Sequence, residues 1–173
     1  MPLETIEYRN CRIEVYPDFD PMNPRTELDN AGTMVCCSRR YRLGDERIRP
    51  GDISEYMETL EKDKAVWLPL YLYDHSGISI STRSFVGLTP HSEWDSGRVG
   101  IIFMRPDTAK AEGLETEEAV IKRLEAEVSV YDQYLRGEVY GFKAFDQNEI
   151  DSCWGFYGDT DRKSTRLNSS HYS

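Results

Sequence analysis

The sequence predicts an α+β fold: a single domain with a largely antiparallel sheet, one long amphipathic helix packed on one face, and a shorter second helix. Three observations carry this reading. The apolar pattern switches between period two and period 3.6, in the order strand, strand, helix, hairpin, strand, helix, strand, strand. There is no regular β-α alternation and no internal repeat, which argues against the parallel α/β classes. Several consecutive strands are joined by short turn-forming segments, which favours antiparallel pairing.

The elements follow in order. At the end of residues 5–16, Cys11, Ile13 and Val15 alternate with Arg12, Glu14 and Tyr16, the pattern of a half-buried strand. Residues 17–31 hold three prolines with Asp18, Asp20, Glu27 and Asp29, and read as a long acidic loop. Thr33 to Cys37 is a short strand, followed by the basic stretch Arg39-Arg40-Tyr41-Arg42. Pro50-Gly51-Asp52 opens a helix over about 52–62, with Asp52 and Glu55 at capping-box spacing and Ile53, Tyr56, Met57 and Leu60 at helical period. Ala65 to Tyr73 is a strongly apolar run. It reads as a central strand in which Pro69 signals a bulge or an edge.

Asp74-His75-Ser76-Gly77 turns this strand into a returning one over Ile78–Thr82, forming a hairpin. Residues 83–98 are irregular, and Val99 to Met104 is another apolar strand. Pro106 starts a short helical turn that Gly113 stops. The longest helix runs over about 116–136. Thr116 is its cap, Glu117 and Glu118 lie in its first turn, and Val120, Ile121, Leu124, Val128, Tyr131 and Leu135 form its buried stripe. Arg136 and Gly137 end it. Glu138–Phe145 and Glu149–Tyr157 are the last two strands, joined by an Asp-Gln-Asn turn.

The chain has 173 residues, with 21 Lys and Arg against 31 Asp and Glu, a net charge of −10. Such a charge repels nucleic acid and anionic membrane at long range, so direct binding to either is not expected. It suits solubility, a basic protein partner, or mimicry of a polyanion. No apolar run approaches the roughly 20 residues that span a bilayer. Met1-Pro2-Leu3-Glu4 lacks the basic start and apolar core of a signal peptide, so a cytoplasmic location is expected. Cys11, Cys36, Cys37 and Cys153 have no C-x-x-C spacing and read as structural thiols.

Four clusters join an acid to aromatics: residues 73–77, 94–97, 131–134 and 151–159. In a catalytic reading, Asp74, Asp95, Asp132 and Asp151 supply carboxylates and His75 a general base or metal ligand. In a structural reading, Asp and Ser side chains cap turns, glycine supplies positive φ, and Trp or Tyr seals the core beside them. Ser76 and Ser96 precede glycine, but neither lies in G-x-S-x-G. His75 and His91 stand 16 positions apart without a second close pair, a poor zinc pattern. No phosphate-cradling glycine loop or dinucleotide fingerprint is present, and no cofactor or metal is expected.

Arg39, Arg40 and Arg42, with Arg47 and Arg49, form the main basic cluster. It either grips phosphate or balances the acids of residues 18–29. Candidate binding residues are Asp18, Asp20, Glu27, Asp29, Arg39, Arg40, Arg42, Trp94, Trp154 and Tyr157.

Six ordered blocks carry a resemblance: Asp-Asn-x-Gly-Thr-Met-Val-Cys (29–36), Arg-Arg-Tyr-x-Leu-Gly-Asp (39–45), Leu-Pro-Leu-Tyr-Leu-Tyr-Asp-His-Ser-Gly (68–77), Trp-Asp-Ser-Gly (94–97), Tyr-Asp-Gln-Tyr-Leu (131–135) and Asp-Ser-Cys-Trp-Gly-Phe-Tyr-Gly (151–158). They resemble the signature blocks of an uncharacterised family of bacteriophage and mobile-element proteins. The resemblance implies a mobile-element origin and no identified catalytic residue. Residues 161–171 are similar to the single-frame translation of a common sequencing adapter. Residues 161–173 are therefore expected to be a non-native tail, with the natural C-terminus missing and 1–160 as the domain. Setting aside that tail's three basic residues and one acid leaves 18 against 30, a net charge of −12.

The expected function is that of an acidic accessory protein binding a protein partner, in host takeover or counter-defence. The alternative is a small metal-dependent hydrolase built on the carboxylate and histidine residues.

Overall fold

The computed structural model describes residues 1–88 and 95–158. Along the chain run β1 (Glu4–Tyr8), β2 (Cys11–Pro17), α1 (Pro24–Glu27), β3 (Thr33–Cys36), β4 (Glu46–Arg47), a 3-10 turn (Pro50–Asp52), α2 (Ile53–Lys62), β5 (Val66–Asp74), β6 (Ile78–Ser81), β7 (Ser96–Met104), α3 (Pro106–Ala111), α4 (Glu117–Leu135), β8 (Val139–Phe145) and β9 (Glu149–Tyr157). The α+β class read from the sequence is the class observed. The described residues form two compact units, one within Pro24–Asp132 and one of Met1–Asn23 with residues 133–158.

The larger unit is built on a five-stranded sheet in the order β4-β3-β7-β5-β6. Its pairings are antiparallel except for the short parallel contact of β3 with β4. Val99 to Met104 of β7 are all buried, which is why the segment is a continuous apolar run rather than an alternating one. On one face, Leu60 of α2 joins Val35, Ile101 and Phe103, with Ile53, Tyr56 and Met57 packed around them. Burying a side chain such as Leu60 contributes about 1.5–3 kcal/mol. On the other face, Leu124 of α4 and Ile102 of β7 both press on Gly32, where a Cβ would sit 2.5 Å from Leu124 Cδ2 and 3.1 Å from Ile102 Cδ1. Helices therefore cover both faces of this sheet.

Pro69 shows how a proline fits inside a strand. β5 lies between β7 and β6, but its pairing with β6 runs only from Tyr71 to Asp74. Pro69 pairs with Ile101 on one side and lies beyond the end of that β6 ladder on the other, so its missing N–H breaks no pairing there. The register shift expected near it falls between Leu70 and Tyr71.

The smaller unit is a four-stranded antiparallel sheet in the order β1-β2-β8-β9. Val15 and Val139 are buried in it. Gly141 of β8 has no Cβ, and the Trp154 indole occupies that space: a Cβ there would lie 2.1 Å from Trp154 Cε3. Tyr16 lies beside the indole with ring centroids 6.4 Å apart.

Three expectations need revision. The strands form two sheets rather than one, because β2 pairs with β8 and closes a separate ladder. Residues 17–31 are not all loop, since Pro24 at the first position starts the short helix α1. The Asp52–Glu55 capping box is absent. Asp52 is already helical after the 3-10 turn, its side chain caps nothing, and its carboxylate pairs with Arg49 at 3.0 Å. The expected Thr116 cap is present, with its Oγ1 accepting from the Ala119 N–H at 3.2 Å.

Candidate functional site

The β5–β6 turn presents the first group of predicted residues. Its three-residue connection, His75–Gly77, has positive φ at Ser76 (56°) and Gly77 (146°), and the His75 N–H donates to the Gly77 carbonyl at 3.0 Å. This places Asp74 and His75 side by side, each with its own partner. Asp74 accepts from Arg40 Nη1 at 2.8 Å and from the Tyr41 hydroxyl at 3.0 Å. Desolvation, and then the hydrogen bond to Asp74, hold the Tyr41 phenol above its ordinary range. His75 Nδ1 lies 2.9 Å from Asp95 Oδ2, and the imidazole stacks on Tyr73 at 6.0 Å. Tyr73 in turn stacks on Phe85 at 5.6 Å.

With Asp95 ionised, Nδ1–H is the donor and the imidazole is held in one tautomer, as an acid–base histidine requires. The side chains of His75 and Asp95 are 50% and 30% exposed. An accessible pair of this kind can also simply fasten a turn to the start of β7.

Asp132 points elsewhere. Its Oδ1 accepts from Ser79 Oγ at 2.6 Å and from the Ile80 N–H at 2.8 Å, tying the end of α4 to β6. Asp151 belongs to the smaller unit, is exposed on β9, and accepts from the N–H of the next residue, Ser152, at 2.8 Å. Of the five acid and histidine candidates, His75 and Asp95 are brought together side chain to side chain. Among the described residues, no three His, Cys, Asp or Glu side chains converge to hold a metal ion.

The binding candidates spread over both units. Asp18 Oδ1 accepts from the Asp20 N–H at 3.1 Å in the smaller unit. Glu27 and Asp29 are exposed in the larger one. Arg39, Arg40 and Arg42 are exposed. Two arginines of this cluster have acid partners, Arg40 with Asp74 and Arg49 with Asp52. Trp154 is 45% exposed. Tyr157 is turned inward at 7% exposure, and its hydroxyl donates to the Met22 carbonyl at 2.7 Å. Trp94 and His91 lie outside the described residues.

A buried polar knot was not anticipated. Arg25, with a side chain 1% exposed, pairs with both carboxylate oxygens of Asp45 and with Glu127 at 3.0 Å. It also donates to Asn30 at 2.9 Å and to the Gly32 carbonyl at 2.7 Å. Glu127 accepts the N–H groups of Ala31 and Gly32, and Asp45 that of Met34. Burial lowers the guanidinium's proton affinity, but its hydrogen bonds and attraction to Asp45 and Glu127 outweigh that and hold its pKa raised. The knot fixes the Asp29–Cys36 block against α4, a structural role for one of the sequence blocks. One signal pointed to it: Glu127 falls between Leu124 and Tyr131 on the buried stripe of α4.

No protein-family model, curated protein or solved structure matches this chain. No helix among the described residues is long and apolar enough to cross a membrane.

Proposed function

We propose that this chain is a non-catalytic accessory protein of a bacteriophage or other mobile element, acting in the cytoplasm of a bacterial host. It would bind a basic protein surface, in host takeover or counter-defence. The observation that carries this reading is the solvent face of α2. Glu55, Glu58 and Glu61 recur at a spacing of three and are all exposed. None has an ion-pair partner among the described residues. They form a negative strip on a chain of net charge −10. Like-signed exposed charges in a row repel one another, and a basic partner relieves that repulsion. The six sequence blocks supply the mobile-element setting.

The hydrolase alternative rests on a single contact, that of His75 with Asp95, and lacks a third converging ligand among the described residues.

The test is capture from a bacterial host lysate by wild-type chain and by the Glu55→Gln/Glu58→Gln/Glu61→Gln variant. A basic partner should be held at low salt, released as the Debye length falls below about 10 Å, and lost from the variant. Equal capture by the variant, or binding insensitive to salt, would refute the reading.

A further inference from the structure

A second charged feature of the larger unit has the opposite sign. Because β3 and β4 run parallel, they leave the sheet edge at the same end. The Ile48 N–H donates to the Cys36 carbonyl at 3.1 Å and holds the two departing segments together. Between them lies a groove of about 700 Å³. Cys37, Ser38 and Arg39 line one wall, and residues 47–52 line the other. Three arginines, Arg39, Arg47 and Arg49, line it with a single acid, Asp52, which is engaged by Arg49 at 3.0 Å.

Arg12, Arg25, Arg40, Arg105, Arg123 and Arg136 each pair with a carboxylate, as expected where acids outnumber bases 31 to 21. Arg39 and Arg47 have no carboxylate partner among the described residues. The Arg47 guanidinium makes a long contact, 3.5 Å, with the Arg39 carbonyl. This interaction holds the two walls together without neutralising either charge. Ser38 Oγ accepts from the Tyr41 N–H at 3.1 Å, an arrangement that orients the hydroxyl. Guanidinium forks match a phosphate's oxygens two at a time, and such charge-assisted bonds are about twice as strong as neutral ones.

We propose that this groove binds a phosphorylated small molecule, its phosphate held by Arg39 and Arg47. The volume falls within the range of about 300–1,000 Å³ typical of small-molecule sites. It exceeds the needs of a bare phosphate, leaving Ile48 and Pro50 as an apolar surface for the body of the ligand.

The test is calorimetric titration of the full chain with adenosine monophosphate, ribose 5-phosphate, adenosine, inorganic phosphate and a phosphoserine peptide. At least one of the two small phosphate esters should bind saturably, with adenosine at least tenfold weaker than its monophosphate if that is the ester bound. Arg39→Gln and Arg47→Gln should each weaken binding tenfold or more. Arg83→Gln, at an exposed arginine outside the groove, should change it less than twofold. All three positions are exposed, so unchanged unfolding midpoints will confirm that the variants fold. The proposal fails if neither ester binds, if adenosine binds as well as its monophosphate, if only the peptide binds, or if Arg83→Gln weakens binding as much as Arg39→Gln. The last result would mean that overall charge, and not the groove, is sensed.

Discussion

Replacing Arg25 with methionine should be among the most damaging single changes to the larger unit. A guanidinium has five N–H donors, and Arg25 directs them at Asp45, Asn30, Gly32 and Glu127. Methionine fills much of the same volume but donates nothing. Glu127 would keep the Ala31 N–H at 2.9 Å and Arg123 at 3.1 Å, and Asp45 would keep the Met34 N–H at 2.7 Å. Asp45 would nevertheless lose its balancing cation and Glu127 would be left with Arg123 alone, at side-chain exposures of 24% and 7%. Removing one partner of a buried ion pair costs about 3–5 kcal/mol. With a urea slope of about 2 kcal/mol per molar, the unfolding midpoint should fall by about 1.5–2.5 M. Lysine should not rescue it, because an ammonium cannot match the Asp45 fork. Urea unfolding followed by far-ultraviolet circular dichroism measures the shift. A midpoint within about 0.5 M of wild type, equivalent to about 1 kcal/mol, would show that the knot does not hold this unit together.

Three further outcomes follow from single positions. Burial, followed by its neighbours Cys37 and Asp45, pushes the Cys36 thiol up to about 12. Above its ordinary pKa the unfolded chain loses this proton while the folded chain keeps it, so stability should fall by about 1.4 kcal/mol per pH unit on the way to the folded value. Cys36→Ala should flatten that alkaline limb in unfolding curves; an unchanged slope would count against a buried, protonated thiol. At Gly100, a Cβ would lie 2.0 Å from the Val35 carbonyl oxygen and 3.0 Å from Cys36 Cα. Gly100→Ala must therefore disturb the β3–β7 ladder, at the upper end of about 1–3 kcal/mol, and a loss below 1 kcal/mol in denaturant unfolding would contradict the packing described. Thr116→Ala should cost about 1 kcal/mol, and Thr116→Asn much less, if the α4 cap acts as its geometry indicates; thermal unfolding separates the two.

The sequence was most legible where local chemistry decides structure. α4 begins after a threonine cap and is followed by Gly137 at φ 70°, because an orphan N–H needs an acceptor and a left-handed residue favours glycine. The β5–β6 turn and the bulge after Pro69 were legible for the same kind of reason. What was hidden depends on residues far apart in the chain. Arg25 and Glu127 are separated by 102 positions, and neither looks unusual alone. The capping box failed because Pro50 starts a 3-10 turn that makes Asp52 helical before it can cap. The four-acid site was a guess from turn composition. In the folded chain Asp74 accepts from Arg40 and Tyr41, and Asp132 from Ser79 and Ile80. The arginine groove was partly visible as a basic cluster, but its shape comes from a two-residue parallel strand too short to read.

The outermost strand of the smaller sheet has a consequence for handling the protein. β9 has a paired neighbour on one side only among the described residues, and residues 149–154 are exposed, Ile150 and Trp154 among them. A border of this type invites another chain to add to it unless charge discourages the approach. Glu149 and Asp151 stand at that border. Their charge should keep concentrated samples from stacking, and the Glu149→Gln/Asp151→Asn variant should self-associate more readily.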